Sequence, residues 1–305
     1  MSRKGQNALT SGTVSKPGIQ WRRFWPLAAV AAVTALGLLL RLWRLGAQSL
    51  WYDEAQTIFV ARFPLDEIIR RTYRPPLYHL ILHLWAPLGG ESEFALRLPS
   101  VLFGALVPPL AYLVARRLYN HRVGLIAALL AALSPTLVYY AQEMRLYSLM
   151  AFEFLLLLDL FTRLVLQPHI ARCRNKPEAE AVGLRKAKPF GLTQGGQSAP
   201  SPLGSTPPTD GNAATVVVPA MGRWQASLGA WAGLVLVEVA ALYTHDFALP
   251  SLAWLAALGL AILWAGQRWR DLRGWIAVHA VAAVAYIPWL LVIRAGRGGT
   301  EDFTE

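Results

Sequence analysis

The segment Ser49-Leu50-Trp51-Tyr52-Asp53-Glu54-Ala55 sets two adjacent carboxylates among aromatic residues, directly after the first long apolar run. At a membrane surface such carboxylates invite raised pKa values and proton-transfer work. Neighbours on a helix point about 100° apart, so the two do not share one task. One is expected to face a reacting centre, and the other to bind structure, a metal or an acceptor. The alternative is an acidic first turn on a juxtamembrane helix, favourable to its dipole. A second cluster is Tyr139-Tyr140-Ala141-Gln142-Glu143-Met144-Arg145-Leu146-Tyr147. Read as a helix, it places Tyr140, Glu143 and Tyr147 on one face and Gln142 and Arg145 on another. Its alternative is an aromatic belt carrying an exposed Glu–Arg pair. The third cluster is Tyr243-Thr244-His245-Asp246, where His245 reads either as an interface residue or as a ligand. His79 and His83 share a helical face at a spacing that could bind metal. Cys173 is the only cysteine, which excludes an intramolecular disulfide and any Cys-cluster metal site.

The elements that carry these residues are membrane spans. Hydrophobic residues make up 55% of the 305 and charged ones 15%, with a mean hydropathy of +0.37. That combination, in long uncharged runs, places the chain in the membrane class. A spanning helix needs about 20 predominantly apolar residues. Runs at 26–45, 99–116, 123–141, 147–166, 225–243, 247–265 and 274–293 supply roughly seven. The first is too long for the apolar region of a signal peptide, about 7–15 residues, and reads as an uncleaved anchor. Arg22, Arg23, Arg116, Arg117, Arg122, Arg163 to Lys188, Arg268, Arg270 and Arg273 all fall on one side, which the positive-inside rule makes cytoplasmic. Loop 46–98 and the connections near 142–146 and 244–246 then face outward.

The fold expected is therefore an all-α, polytopic transmembrane bundle with short juxtamembrane helices in the first outer loop. Residues 1–25 form a cytoplasmic tail, 26–166 a transmembrane module containing outer loop 46–98, and 223–294 further transmembrane helices. Residues 295–305 read as an incomplete extracytoplasmic tail, and the chain as a fragment or a shortened homologue. Between the two membrane parts, 167–222 is rich in Pro, Gly, Ser, Thr and Lys and reads as a flexible cytoplasmic insert. Within loop 46–98, helical character runs from Trp51 to Phe63, then again around Leu65–Arg71, and Leu77–Leu88 is too short to span. Arg41 and Arg44 stand at the outer end of the first span, either snorkelling to headgroups or holding an anionic lipid phosphate. Glu153, Asp159 and Glu238 lie inside spans. Asp159 has Arg163 one turn on, whereas Glu153 and Glu238 are candidates to line a cavity open to the outer face. The net charge of +11 tracks topology signals and the insert, with no nucleic-acid-binding motif beside it.

Taken in order, these features resemble the C-type (GT-C) membrane glycosyltransferase superfamily, nearest its protein O-mannosyltransferase and aminoarabinose transferase group. The residues carrying the resemblance are Asp53-Glu54-Ala55, Pro75-Pro76-Leu77-Tyr78, the Glu93 to Pro99 entry to the second span, and Gln142 to Tyr147. It covers about 26–166 well and 225–294 loosely. The resemblance implies that Asp53 is the general base or acceptor-positioning residue, with Glu54 in a supporting role. Relatives often carry Lys before the two prolines to contact donor phosphate, and Arg74 stands there in this chain. Tyr78, Glu143, Arg145, Tyr147 and His245 are the further substrate-binding candidates. Some relatives place a metal-ligating Glu where this chain has Tyr73, so the metal is left unknown.

The chemistry agrees with that implication. Nucleotide sugars do not reach the outer face, and no Asp-x-Asp element is present, so the expected donor is a polyprenyl-phosphate sugar. The phosphate leaves without a general acid, and what remains is a base for the acceptor hydroxyl and positive charge for the phosphate. The acceptor is a protein, glycan or lipid, other partners are membrane lipids, no nucleic acid is expected, and the expected location is a bacterial-type inner membrane. Two other readings are a lipid-sugar transporter and a non-catalytic membrane subunit. Polar residues gathered at the outer ends, without an internal repeat, favour the enzyme over the transporter.

Overall fold

The computed structural model describes residues 21–72, 74–168 and 228–296. Tyr73 and nearly all of the low-complexity insert therefore lie outside the described residues, as do most of both terminal tails. The described residues form α1 (Trp21–Leu42), α2 (Tyr52–Ala61), α3 (Leu65–Arg71), α4 (Leu77–Gly89), α5 (Glu93–Leu118), α6 (His121–Leu133), α7 (Pro135–Ala141) and α8 (Tyr147–Phe161). A π-helical turn (Thr162–Leu166) continues α8, and α9 (Leu228–Thr244), α10 (Ala248–Ala265) and α11 (Trp269–Gly296) complete the set. The protein is all-α, and its long apolar helices make it an integral membrane protein.

The span count differs from the seven expected. Among the described residues, four helices are long and apolar enough to cross a membrane, namely α1, α5, α10 and α11, and the α6–α7 pair makes a fifth if its 54° bend is one broken span. The remaining two expected spans are α8, only 15 residues before the π-turn, and α9, with 17. Helix α5 is the hub, packed against α1, α6 and α8, while α9 joins α8 to α11. Gly104 on α5 permits the close approach, since a Cβ there would stand 2.6 Å from the Ala141 Cβ. Large apolar side chains such as Ile276, Val284 and Leu291 remain exposed on α11, as suits a lipid-facing surface.

The α6–α7 bend explains Arg41. Pro135 has no N–H, so the Ala131 carbonyl loses its helical partner. Arg41 fills the gap: Nη2 donates to Ala131 O at 3.2 Å, and Nη1 to Ala132 O at 3.3 Å and Gly37 O at 2.9 Å. Its side chain is fully buried, so it neither snorkels nor reaches a lipid phosphate, because the freed carbonyls of α6 hold it inside. We predict that Arg41→Met, which keeps the stem and removes the donors, lowers stability by about 1–3 kcal/mol. Thermal unfolding in detergent checks this, and an unchanged midpoint would remove the capping role.

The bundle's two ends divide the polar work. At one end Asp159 is ion-paired with Arg117 Nε at 2.9 Å and Arg163 Nη2 at 2.8 Å, and Arg268 caps the Leu164 and Val165 carbonyls. The opposite end holds the loop helices, with α2 and α4 seated on a core of Ile58, Ala61, Tyr78, Leu82, Leu96, Met144, Leu146 and Leu149. Glu153 and Glu238 are both almost wholly buried. Glu153 accepts from Thr244 Oγ1 at 2.8 Å, and Glu238 faces His279 Nε2 at 3.5 Å, so both are buried between helices.

Candidate active site

Loop helix α2 begins where Trp51 is extended and Glu54 reaches back to accept from the Trp51 N–H at 3.4 Å, the acidic half of a capping box. The same carboxylate is held from two further elements. Arg97 on α5 donates to it through Nε at 2.9 Å and Nη2 at 2.7 Å, and the Met144 N–H donates at 2.7 Å. Arg97 also binds the carbonyls of Leu45, Gln48 and Ser49. This one pair therefore ties the end of α1, the start of α2, span α5 and the 142–146 turn together. Burial pushes the Glu54 carboxyl up, but Arg97, Met144 and Trp51 outweigh it and hold it below the usual carboxylate range. The expectation of a raised pKa is thus reversed for Glu54. Every bond it makes is structural, so the geometry gives it positioning work rather than proton transfer.

Asp53, one residue earlier, turns the other way and is about one-third exposed. Its Oδ2 lies 3.3 Å from Arg145 Nη1, and its backbone carbonyl accepts from Thr57 Oγ1 at 2.7 Å. Asp53 borders a cavity of about 220 Å³ with Thr57, Arg74, Tyr78, His79 and Arg145. One carboxylate and two guanidinium groups from three separated stretches of sequence thus meet in one space. Tyr78 contributes its ring; its hydroxyl pairs with Ser100 Oγ at 2.7 Å, and Ser100 in turn donates to Arg145 O at 3.1 Å. Burial pushes the Tyr78 hydroxyl well above its ordinary range, so it stays protonated.

The second cluster is not a helix. Helix α7 ends at Ala141, and residues 142–146 form a non-helical turn, so the expected face of Tyr140, Glu143 and Tyr147 does not exist in that form. Gln142 Nε2 instead donates to the carbonyls of Leu40, Arg41 and Trp43 at the end of α1. Glu143 is buried and borders a different, larger cavity of about 800 Å³ with Trp43, Arg44, Trp51 and Tyr139. Tyr147 packs on Tyr140 at 4.6 Å between ring centroids and lies 5.7 Å from the Arg145 guanidinium. His245 stacks on Phe247, and its Nδ1 accepts that residue's N–H at 3.0 Å. Glu143, Tyr147 and His245 therefore do not border the Asp53 cavity. His83, one turn after His79 on α4, has its Nδ1 engaged with Ala61 O at 2.9 Å. Among the described residues no group of three or more His, Cys, Asp or Glu is placed to hold a metal.

Arg97 is the residue the sequence reading missed. It stands inside Glu93 to Pro99, an element already singled out, and a charged residue entering an apolar span is the signal that pointed to a role.

Fold and site define a polytopic all-α membrane protein with an acid–arginine cavity at one end of its bundle. Residues 73–171 match the family described as dolichyl-phosphate-mannose-protein mannosyltransferase. Over 148 residues the chain is 30% identical to protein O-mannosyl-transferase 1 of Mus musculus, and equally to that of Rattus norvegicus. Each match takes in 40% of this chain and 19% of the relative, so the matched part spans about a fifth of those proteins. No solved structure matched significantly. These findings bear out the resemblance to the mannosyltransferase-like group of C-type glycosyltransferases. The family match takes in Arg74, Tyr78 and Arg145, while Asp53 precedes it.

Proposed function

We propose that this chain is a membrane glycosyltransferase that moves a sugar, mannose in the first instance, from a polyprenyl-phosphate donor to an acceptor hydroxyl. The transfer takes place on the extracytoplasmic face of a bacterial-type plasma membrane. The observation that carries the reading is the meeting of Asp53, Arg74 and Arg145 around one cavity. In the reaction, Asp53 takes the proton of the acceptor hydroxyl as its oxygen bonds the anomeric carbon. The bond from that carbon to the donor phosphate breaks, and the phosphate leaves as an anion. Arg74 and Arg145 neutralise the charge that develops on it. Arg145 Nη1 meets one oxygen of the Asp53 carboxylate at 3.3 Å and the Asp53 backbone carbonyl at 3.4 Å, so the pair is not the two-pronged clamp that would occupy both carboxylate oxygens.

Arg74 tests the donor half of this account. It is exposed and lines the cavity, so its removal leaves the fold intact. We predict that Arg74→Ala weakens the apparent affinity for polyprenyl-phosphate mannose by about tenfold or more, while Arg74→Lys keeps part of it. Initial rates against donor concentration in proteoliposomes measure this. Equal KM values in all three proteins would exclude Arg74 from the phosphate site.

A further inference from the structure

His79 is the imidazole that lines the Asp53 cavity, and the reaction above leaves it without a task. It is the third residue of α4, and it lines the cavity together with Tyr78, Arg74 and Arg145. Its Nδ1 is sealed from solvent and has no hydrogen-bond partner, so the ring meets the cavity by its Nε2 edge. Burial first, and then the positive charge of Arg145, push its pKa down to about 4, so the imidazole is neutral at physiological pH. A neutral ring carries one N–H. A ligand oxygen in the cavity selects the tautomer with that proton on Nε2, leaving the bare Nδ1 in the wall. The first turn of α4 starts at the same place, so the positive end of a 13-residue helix adds to the two guanidinium groups.

We infer that His79 is a fixed, uncharged hydrogen-bond donor to an oxygen of the donor phosphate, acting beside Arg74 and Arg145 as a positioning residue for the leaving group. This rests on the proposed reading of the cavity. Two arginines supply charge but little direction when one of them is exposed on a loop. A ring anchored on a helix fixes one phosphate oxygen, and with it the line along which the sugar–phosphate bond breaks. Because the ring is neutral, it does so without adding a third cation next to Asp53.

The test uses the full chain in nanodiscs and two probes, polyprenyl phosphate and polyprenyl-phosphate mannose, with affinities read by tryptophan fluorescence. His79→Phe keeps the ring and removes the donor, whereas His79→Gln places an amide N–H near the Nε2 position. The expected result is a loss of about tenfold for both probes with Phe, and a return to within about threefold with Gln. The expected loss is the same at pH 6 and pH 8. Unchanged affinity in the Phe variant overturns the inference, and so does a loss confined to the mannose-bearing probe, which would place His79 on the sugar. Loss that Gln does not restore also overturns it, since a packing role would behave that way. If the unmodified chain binds neither probe, the donor reading itself fails, a result separable from failure of the His79 assignment.

Discussion

Asp53→Asn is expected to abolish transfer while leaving membrane insertion and donor binding intact. Asparagine matches aspartate in size, and the Asp53 backbone carbonyl keeps its bonds to Thr57 and Arg145. What disappears is the negatively charged, basic oxygen that takes the acceptor's proton, since an amide oxygen still accepts a hydrogen bond but is far too weak a base. General-base removal alone costs about 10²- to 10⁴-fold in rate, which places residual turnover near the background of a membrane assay. Donor affinity is expected to fall by no more than a few-fold, because Arg74, Arg145 and His79 remain. Reduced donor affinity with undiminished turnover at saturation would instead make Asp53 a binding group.

Breaking the Glu54–Arg97 pair is expected to have the largest effect on the fold. Both side chains are almost wholly buried, at 0% and 5% exposure, and each leaves the other uncompensated when removed. Loss of one partner of a buried pair costs about 3–5 kcal/mol. Arg97→Met also frees the carbonyls of Leu45, Gln48 and Ser49, so it is expected to be worse than Glu54→Gln, which keeps the Met144 contact as an acceptor. Glu54 has a lowered folded pKa, so its contribution is fully present above the ordinary carboxylate value of about 4.3 and is lost as pH falls through the lower folded one. The gap in unfolding midpoint between Glu54→Gln and the unmodified chain is therefore expected to narrow as pH falls from 7 towards 3. A gap that does not narrow would show that shape, not charge, made the difference.

The loop helices were legible because proline punctuates them. Pro64 separates α2 from α3, Pro75 and Pro76 precede α4, and the apolar pattern between them has a helical period. The 142–146 turn was not legible as a turn. Nothing in Gln142-Glu143-Met144-Arg145-Leu146 breaks a helix, and the segment turns because Met144's N–H is spent on Glu54, ninety residues earlier. That non-local bond also aims Arg145 at Asp53. The task of Arg97 was hidden for the same reason, since its partner lies 43 residues away and across the loop. Arg41 was read from its position at a helix end, whereas its role is set by Pro135 in another helix. Short-range pattern marks the elements, and buried charge decides how they meet.

The distribution of polar groups separates two jobs that adjacent carboxylates at 53 and 54 perform. Glu54 builds the corner and, in the proposed reaction, Asp53 uses it, with the helical turn of α2 pointing one into the protein and the other into the cavity. Any substitution that loosens Glu54 is therefore expected to reduce activity through Asp53's position, with KM and turnover both affected.

The most direct measurement of the central claim follows the donor. Purified full-length chain in nanodiscs is given radiolabelled polyprenyl-phosphate mannose and a mixture of cell-envelope acceptors, and release of polyprenyl phosphate is measured beside label transfer. The account predicts release that matches transfer one for one, that is lost with Asp53→Asn, and that GDP-mannose does not support. Transfer from the nucleotide sugar alone, or equal release by the Asp53→Asn chain, would contradict it.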